Sequence, residues 1–240
     1  MSDRPRLALL NASHSVHHTR RNFRRELDAD LAEFTLTEEQ YPDGFDYDGF
    51  VVSGSASSVY WEEPWLPATR EWIAEAIDRG IPALGICFGH QLLADVLGGT
   101  VEDMGEYELG YRTVERTDAG REDPVHGGLD DEFLVFTSHS DAVTELPPGT
   151  TLTAENDYGI HGFRKGHVFG MQSHPEYDRD TAESVAEGKE GEAYVTDDQL
   201  EAVLDGVTES NVDRAAETKR IFDSFLAYVR EVRASPPAGD

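Results

Sequence analysis

The chain has 240 residues, 38% of them hydrophobic and 10% aromatic, and sets 20 Lys+Arg against 48 Asp+Glu for a formal charge of −28. That length fits one sizeable α/β domain with at most a modest appendage, and the apolar content suffices for a core, so general disorder is excluded. An acidic excess of this size repels phosphate backbones and anionic bilayers, which argues against nucleic acid and membrane surfaces as partners.

Further classes fall away. No apolar run approaches the ~20 residues of a membrane span, and the stretch around Leu7-Ala8-Leu9-Leu10 is too short for a signal-peptide core. The one cysteine, Cys87, can form neither an internal disulfide nor a thiolate zinc cluster. The expected compartment is the cytoplasm. Lysine occurs only at positions 165, 189 and 219, the other basic residues being arginine. Acidic groups crowd the expected surface while the core is ordinary, which is how a chain stays soluble when salt screens its charges, and the expectation is a halophilic, salt-adapted protein.

In chain order, Arg6-Leu7-Ala8-Leu9-Leu10-Asn11 predicts a short buried strand leaving into a polar loop. Residues from about Thr19 to Ala32 predict a helix with Phe23, Leu27 and Leu31 on one face. Asp48 to Ser55 predicts a strand running into a small-residue turn. Trp65 to Arg79 suits an amphipathic helix with Trp65, Trp72, Ile73 and Ile77 inward, stopped by Gly80. Ile81 to Ile86 predicts another buried strand, and Gly89 to Leu97 a helix ended by Gly98-Gly99. This alternation argues for a three-layer α/β/α fold around a mostly parallel sheet. Past residue 100 the texture turns to β-type segments at Tyr111–Arg116, Phe133–Thr137, Thr150–Ala154, Ile160–Arg164 and Val168–Gln172. From Tyr177 the pattern is helical. Val212, Ala215, Ala216, Phe222, Phe225, Leu226 and Val229 give a last helix a continuous apolar face that docks on the body, followed by a fraying tail from Ser235 to Asp240.

Chemistry concentrates in two motifs. The first is Gly85-Ile86-Cys87-Phe88-Gly89-His90-Gln91, where a buried strand ends at the only cysteine and a helix begins at once. That is the setting of a nucleophile elbow, which holds the reactive side chain on a tight, strained turn. Glycines two residues either side leave room for the neighbouring backbone. The helix N-terminus favours thiolate and supplies N–H donors to an oxyanion. The second is Ser173-His174-Pro175-Glu176, at the exit of an apolar strand, where Pro175 fixes the backbone so that the carboxylate can hold the imidazole tautomer. Of the other histidines, His14, His17 and His18 share a polar loop but have no carboxylate or thiolate spaced to complete a metal site. His126, His161 and His167 have no distinctive context and read as surface or satisfied residues.

With both motifs in hand, the chain resembles the class I (triad) glutamine amidotransferases, most closely the glutaminase part of GMP synthase and its stand-alone relatives, over roughly residues 45 to 178. The resemblance implies Cys87 as nucleophile, His174 as base and Glu176 as its orienter. It implies that Gln91 contacts the bound glutamine, that the Gly54 loop and the Phe88 N–H form the oxyanion hole, and that Ser138, Ser140 and Asp141 grip the glutamine α-carboxylate and amine. The family's Gly-Gly-Pro oxyanion loop is here Ser53-Gly54-Ser55-Ala56, so only Gly54 supplies the flexible position. The expected domain is residues 1–190, with 191–240 a helical extension packed on it. No cofactor or metal is implied. The substrate would be L-glutamine and the partner a separate ammonia-accepting synthase, while stand-alone γ-glutamyl peptidases use the same triad. The run Arg20-Arg21-Asn22-Phe23-Arg24-Arg25 lies outside the family pattern and is either a salt-bridged helix face or a docking patch for an acidic partner.

Overall fold

The computed structural model describes residues 4–235. Nine strands make one sheet: β1 (Arg6–Asn11), β2 (Asp30–Thr35), β3 (Gly49–Val52), β4 (Ala83–Ile86), β5 (Thr100–Arg116), β6 (Glu132–Glu145), β7 (Thr151–Asn156), β8 (Gly159–Lys165) and β9 (Val168–Met171), in the order β2-β1-β3-β4-β9-β8-β7-β5-β6. The helices are α1 (Val16–Glu26), α2 (Leu66–Asp78), α3 (Phe88–Val96), a one-turn α4 (Asp118–Arg121), α5 (Arg179–Glu187), α6 (Asp197–Asp205), α7 (Glu209–Ala216) and α8 (Arg220–Ala234). The run from β2 to β9 is parallel, and β8, β7, β5 and β6 continue it antiparallel.

The parallel strands are short, apolar throughout and buried, as strands covered on both faces must be. Successive side chains point to opposite faces, so one sequence feeds two cores. Leu7, Leu9, Val51, Leu84, Ile86 and Phe169 meet Phe23 of α1 and Phe222, Phe225 and Val229 of α8 on one side. Ala8, Leu10, Phe50 and Val52 meet Trp72 and Ile73 of α2 and Leu92 and Leu93 of α3 on the other. A third apolar cluster seats α5 and α6 against Leu109 of β5 and Phe136 of β6. The N-termini of α5, α6 and α7 are closed by the side chains of Asp178, Thr196 and Thr208, each accepting from the N–H three residues on.

Three expectations need correction. The helix read from Thr19 to Ala32 stops at Glu26, and Asp30–Thr35 is the edge strand β2, paired with β1 from Arg6↔Asp30 to Asn11↔Thr35. Leu27 still packs with Phe23, so the four-residue spacing holds for one turn; Leu31-Ala32-Glu33 has helical composition, and pairing with β1 overrides it. The last helix is two helices, because a 3-10 turn at Glu217–Lys219 separates α7 from α8, where the buried Thr218 hydroxyl donates back to the Ala215 carbonyl at 2.7 Å. Polar Thr100 to Gly110, not expected as strand, forms the first part of β5 paired with β6. The tail expected beyond Ser235 lies outside the described residues. Among the described residues, no helix is long and apolar enough to cross a membrane.

All parallel strands point the same way, so their C-terminal ends share one edge of the sheet, the usual place for a site in such folds. That edge carries Asn11–Ala12 after β1, Ser53–Gly54 after β3, Cys87 after β4 and Gln172–His174 after β9.

The fully buried Phe225 joins α8 to the sheet. Phe225→Ala is expected to cost about 3–5 kcal/mol of unfolding free energy in urea titration; a loss below about 1 kcal/mol would mean that α8 is not part of the core.

Candidate active site

Cys87 sits at φ 52°, ψ −107°, a region that side-chain-bearing residues enter only under constraint. Its N–H donates to the Met171 carbonyl at 2.8 Å, extending the β4–β9 ladder, and α3 begins at the next residue. The flanking glycines are sterically required. A Cβ at Gly85 would lie 2.3 Å from the Gly89 carbonyl oxygen, and one at Gly89 would lie 2.2 Å from that of Val52. As the first residue of α3, Phe88 has no intrahelical acceptor for its N–H. Its ring is buried against Trp65, so only its backbone is available to the site.

The second motif arrives on β9. The His174 N–H donates to the Phe136 carbonyl at 2.8 Å, fixing the backbone, and its Nδ1 lies 2.8 Å from Glu176 Oε1 with both side chains buried. The Tyr177 ring stacks on the imidazole at 4.2 Å and 17° between planes. Burial disfavours the charged ring, but the Glu176 carboxylate, then the charge of Cys87, then hydrogen bonds to both outweigh it, and the imidazole is raised from 6.5 to about 10. Gly54 completes this corner. A side chain there would stand 2.9 Å from His174 Cε1 and 3.7 Å from Cys87 Cβ, so glycine lets the β3 loop approach the thiol and the ring together.

Across the cleft runs the β6 segment. The Ser138 carbonyl is 3.9 Å from Cys87 Sγ, and Asp141 Oδ1 accepts from the Tyr60 hydroxyl at 2.8 Å. Gln91 donates from Nε2 to the Asp141 carbonyl at 2.8 Å and to Gln172 Oε1 at 3.2 Å, so it ties α3 to β6 as well as lining the cleft. The cleft, about 510 Å³, is lined by every catalytic, oxyanion and substrate residue expected from the sequence except Phe88.

Several contributors carried no sequence signal. Gln172 points Nε2 toward Cys87 Sγ at 3.8 Å, and Tyr107 meets the Ser138 hydroxyl at 3.3 Å. Tyr60 and Tyr177 reach the site only through tertiary packing. Tyr177 alone had a pointer, following His174-Pro175-Glu176 directly. His161 is not a surface residue; it is buried beside Glu108, as His126 is beside Asp123. His14 and His18 line the cleft mouth, with His14 Nε2 3.0 Å from the Ser57 hydroxyl.

The arginine run is engaged within the chain. Arg20 and Arg24 pair with Glu33, and Arg21 and Arg25 with Asp178 at 2.8 and 2.6 Å. Arg25 also donates to the backbone carbonyl of Glu176 at 2.6 Å, so α1 braces the segment that carries the carboxylate.

Comparison with known proteins agrees with this geometry. The family model described as Glutamine amidotransferase class-I matches residues 9–186. The chain is 36% identical over 170 residues to the glutamine-hydrolysing subunit of GMP synthase from Halobacterium salinarum, covering 69% of this chain and 82% of that one. It is 33% identical over 155 residues to "Gamma-glutamyl peptidase 5" of Arabidopsis thaliana, covering 61% and 62%. The "GMP synthase [glutamine-hydrolyzing]" of Thermomicrobium roseum is 39% identical over 129 residues, 53% of this chain and 23% of its own length, so the chain spans under a quarter of that relative. In fold, it superposes on a glutamine amidotransferase from Thermotoga maritima with TM-score 0.76 at 22% identity, covering 92% of this chain and 97% of that one. With one from Methylobacillus flagellatus the TM-score is 0.78 at 20% identity, covering 100% and 98%. Motifs, fold and family match agree: the chain belongs to the class I glutamine amidotransferases.

Proposed function

We propose that this chain hydrolyses the side-chain amide of glutamine through a thioester on Cys87 and passes the ammonia to a separate synthase of the GMP synthase kind. The observation that carries the reading is a thiol on a strained elbow and a buried His174–Glu176 pair facing one cleft. In the proposed reaction the Cys87 proton passes to His174, and the sulfur attacks the γ-carboxamide carbon. The oxyanion collects on backbone N–H groups of the Gly54 loop and Phe88, a contribution of ~3 kcal/mol per donor. His174 returns the proton to the departing nitrogen, giving ammonia and a γ-glutamyl thioester. Water, deprotonated by the same ring, then releases glutamate and restores the thiol.

The synthase partner is supported by likeness to a protein named as one subunit of GMP synthase. A stand-alone γ-glutamyl peptidase is the second reading, favoured by the likeness to the Arabidopsis protein and by a cleft that runs past the triad to Trp61 and Tyr194 at its mouth. Strong stimulation of glutamine hydrolysis by a co-purifying synthase selects the first; fast unassisted turnover of γ-glutamyl peptides selects the second. The charge of −28 fits work in high salt.

Cys87→Ala is expected to lower glutamine hydrolysis by on the order of 10⁴-fold or more with an unchanged circular dichroism spectrum; retained activity would end the reading. His174 gives a pH test. Because its value is raised from 6.5 to about 10, the stability it contributes is complete below about pH 6.5 and is lost as pH climbs through 10. Removing the sulfur's charge in Cys87→Ala is expected to move the His174 titration downward in a histidine NMR titration, and an unmoved titration would show that thiol and ring are not coupled.

A further inference from the structure

Behind the β6 wall of the cleft, three buried side chains meet that the proposed reaction does not use. Glu108 on β5, His139 on β6 and His161 on β8 bring their ligating atoms within 4.8 Å of one another, and all three are at most 5% exposed. Glu108 Oε2 lies 2.5 Å from His139 Nε2 and 3.1 Å from His161 Nε2, and Glu108 Oε1 accepts from Asn156 Nδ2 at 2.7 Å. On its far side, His139 Nδ1 lies 2.9 Å from the Asp141 carbonyl, which Gln91 also holds.

The backbone explains why side chains are needed here. Glu108 and His139 are direct cross-strand partners, which puts their side chains on the same face. Immediately beyond them the ladder slips. The next pair is Asp103↔Asp141, so residues 104–107 of β5 bulge opposite the single residue Ser140. Ser138 to Asp141, the stretch beside the thiol, therefore loses regular ladder support where the substrate is proposed to lie.

Proton placement follows from the partners. Both His139 nitrogens face acceptors, a carboxylate and a carbonyl, and the ring satisfies both only when doubly protonated. His161 is the opposite case. Burial lowers its value despite Glu108, and its Nδ1 is buried without a partner, so it serves as a neutral Nε2–H donor. Burial alone would raise Glu108, yet its hydrogen bonds to the two imidazoles hold it well below the ordinary carboxylate range. His90 is the other ionisable ring whose field reaches both His139 and His161; it is buried and held neutral by desolvation, so Glu108 is the charge that matches His139.

We propose that Glu108 is a positioning residue: it keeps His139 as an imidazolium whose Nδ1–H clamps the Asp141 carbonyl and so sets the Ser138–Asp141 wall against which the amino-acid end of the substrate binds. The substrate part rests on the glutaminase reading above; the proton part does not. The cluster leaves Cys87, His174 and Glu176 untouched, so it acts on substrate affinity more than on the thiol's reactivity.

The test takes the full chain and its Glu108→Gln variant. In the wild type, ¹⁵N NMR of the His139 ring is expected to show both nitrogens protonated near pH 7; a neutral ring, or a bound divalent metal on the trio by elemental analysis of the purified protein, overturns the proposal without needing any variant. In Glu108→Gln the KM for L-glutamine is expected to rise on the order of 10- to 100-fold with a much smaller change in kcat, while alkylation of Cys87 by iodoacetamide keeps its wild-type rate. An unchanged KM, or equal loss in kcat and in alkylation, refutes it. A wild type that binds and turns over no glutamine defeats the glutaminase reading instead, and the NMR result then still decides the protonation of His139.

Discussion

The site depends on one steric arrangement, the turn between β4 and α3. For Cys87 to stand clear of the sheet edge, the chain must reverse within one residue at a positive φ, and Gly85 and Gly89 must lie against backbone oxygens with no room for a methyl group. Strain of this kind, of order 1–3 kcal/mol, persists only where the surroundings over-determine it. Here they do: β4 is hydrogen-bonded between β3 and β9, and α3 is packed through Leu92 and Leu93 into the core. The same pairing that holds the turn also delivers the base, because β9 is the direct neighbour of β4 and ends in the histidine motif. Nucleophile and base are about ninety residues apart in sequence and adjacent in the sheet.

Carboxylates hold imidazole rings at three places in the interior. Glu176 orients His174, Glu108 faces His139 and His161, and Asp123 binds His126, whose other nitrogen reaches the Gly170 carbonyl on β9. Each buried acid would be costly alone, and each is matched by donors. In a chain with so large an acidic excess, the interior acids are the fully paired ones, and the surplus lies at the surface.

Much of this was legible in the sequence, and the pattern of what was not is physical. The parallel half was readable because its strands are unbroken apolar runs, and the elbow because glycine spacing around a lone cysteine has few other uses. Strand β2 was hidden because Leu31, Ala32 and Glu33 carry no β-branched signature and become a strand only by pairing with β1. The first part of β5 was hidden because it is polar and half exposed. The roles of Gln172, Tyr60 and Glu108 were illegible for a different reason. Each depends on which residue of a distant strand lies opposite, and a slip of one position would point it away. The arginine run was seen but open in meaning; its partners, Glu33 and Asp178, lie on β2 and before α5, and only the fold brings them to it.

The docking of α8 has a consequence for how the molecule is made. Phe222, Phe225, Leu226 and Val229 cover the face of the sheet that β1 begins to build, so the first strand synthesised gains its cover only once residue 229 has been added. Until then Leu7, Leu9 and Val51 offer a greasy, half-finished slab to the surrounding water. Nascent chains of this protein should thus be clients for chaperones late in translation, and the dense negative charge they already carry keeps neighbouring copies apart during that wait.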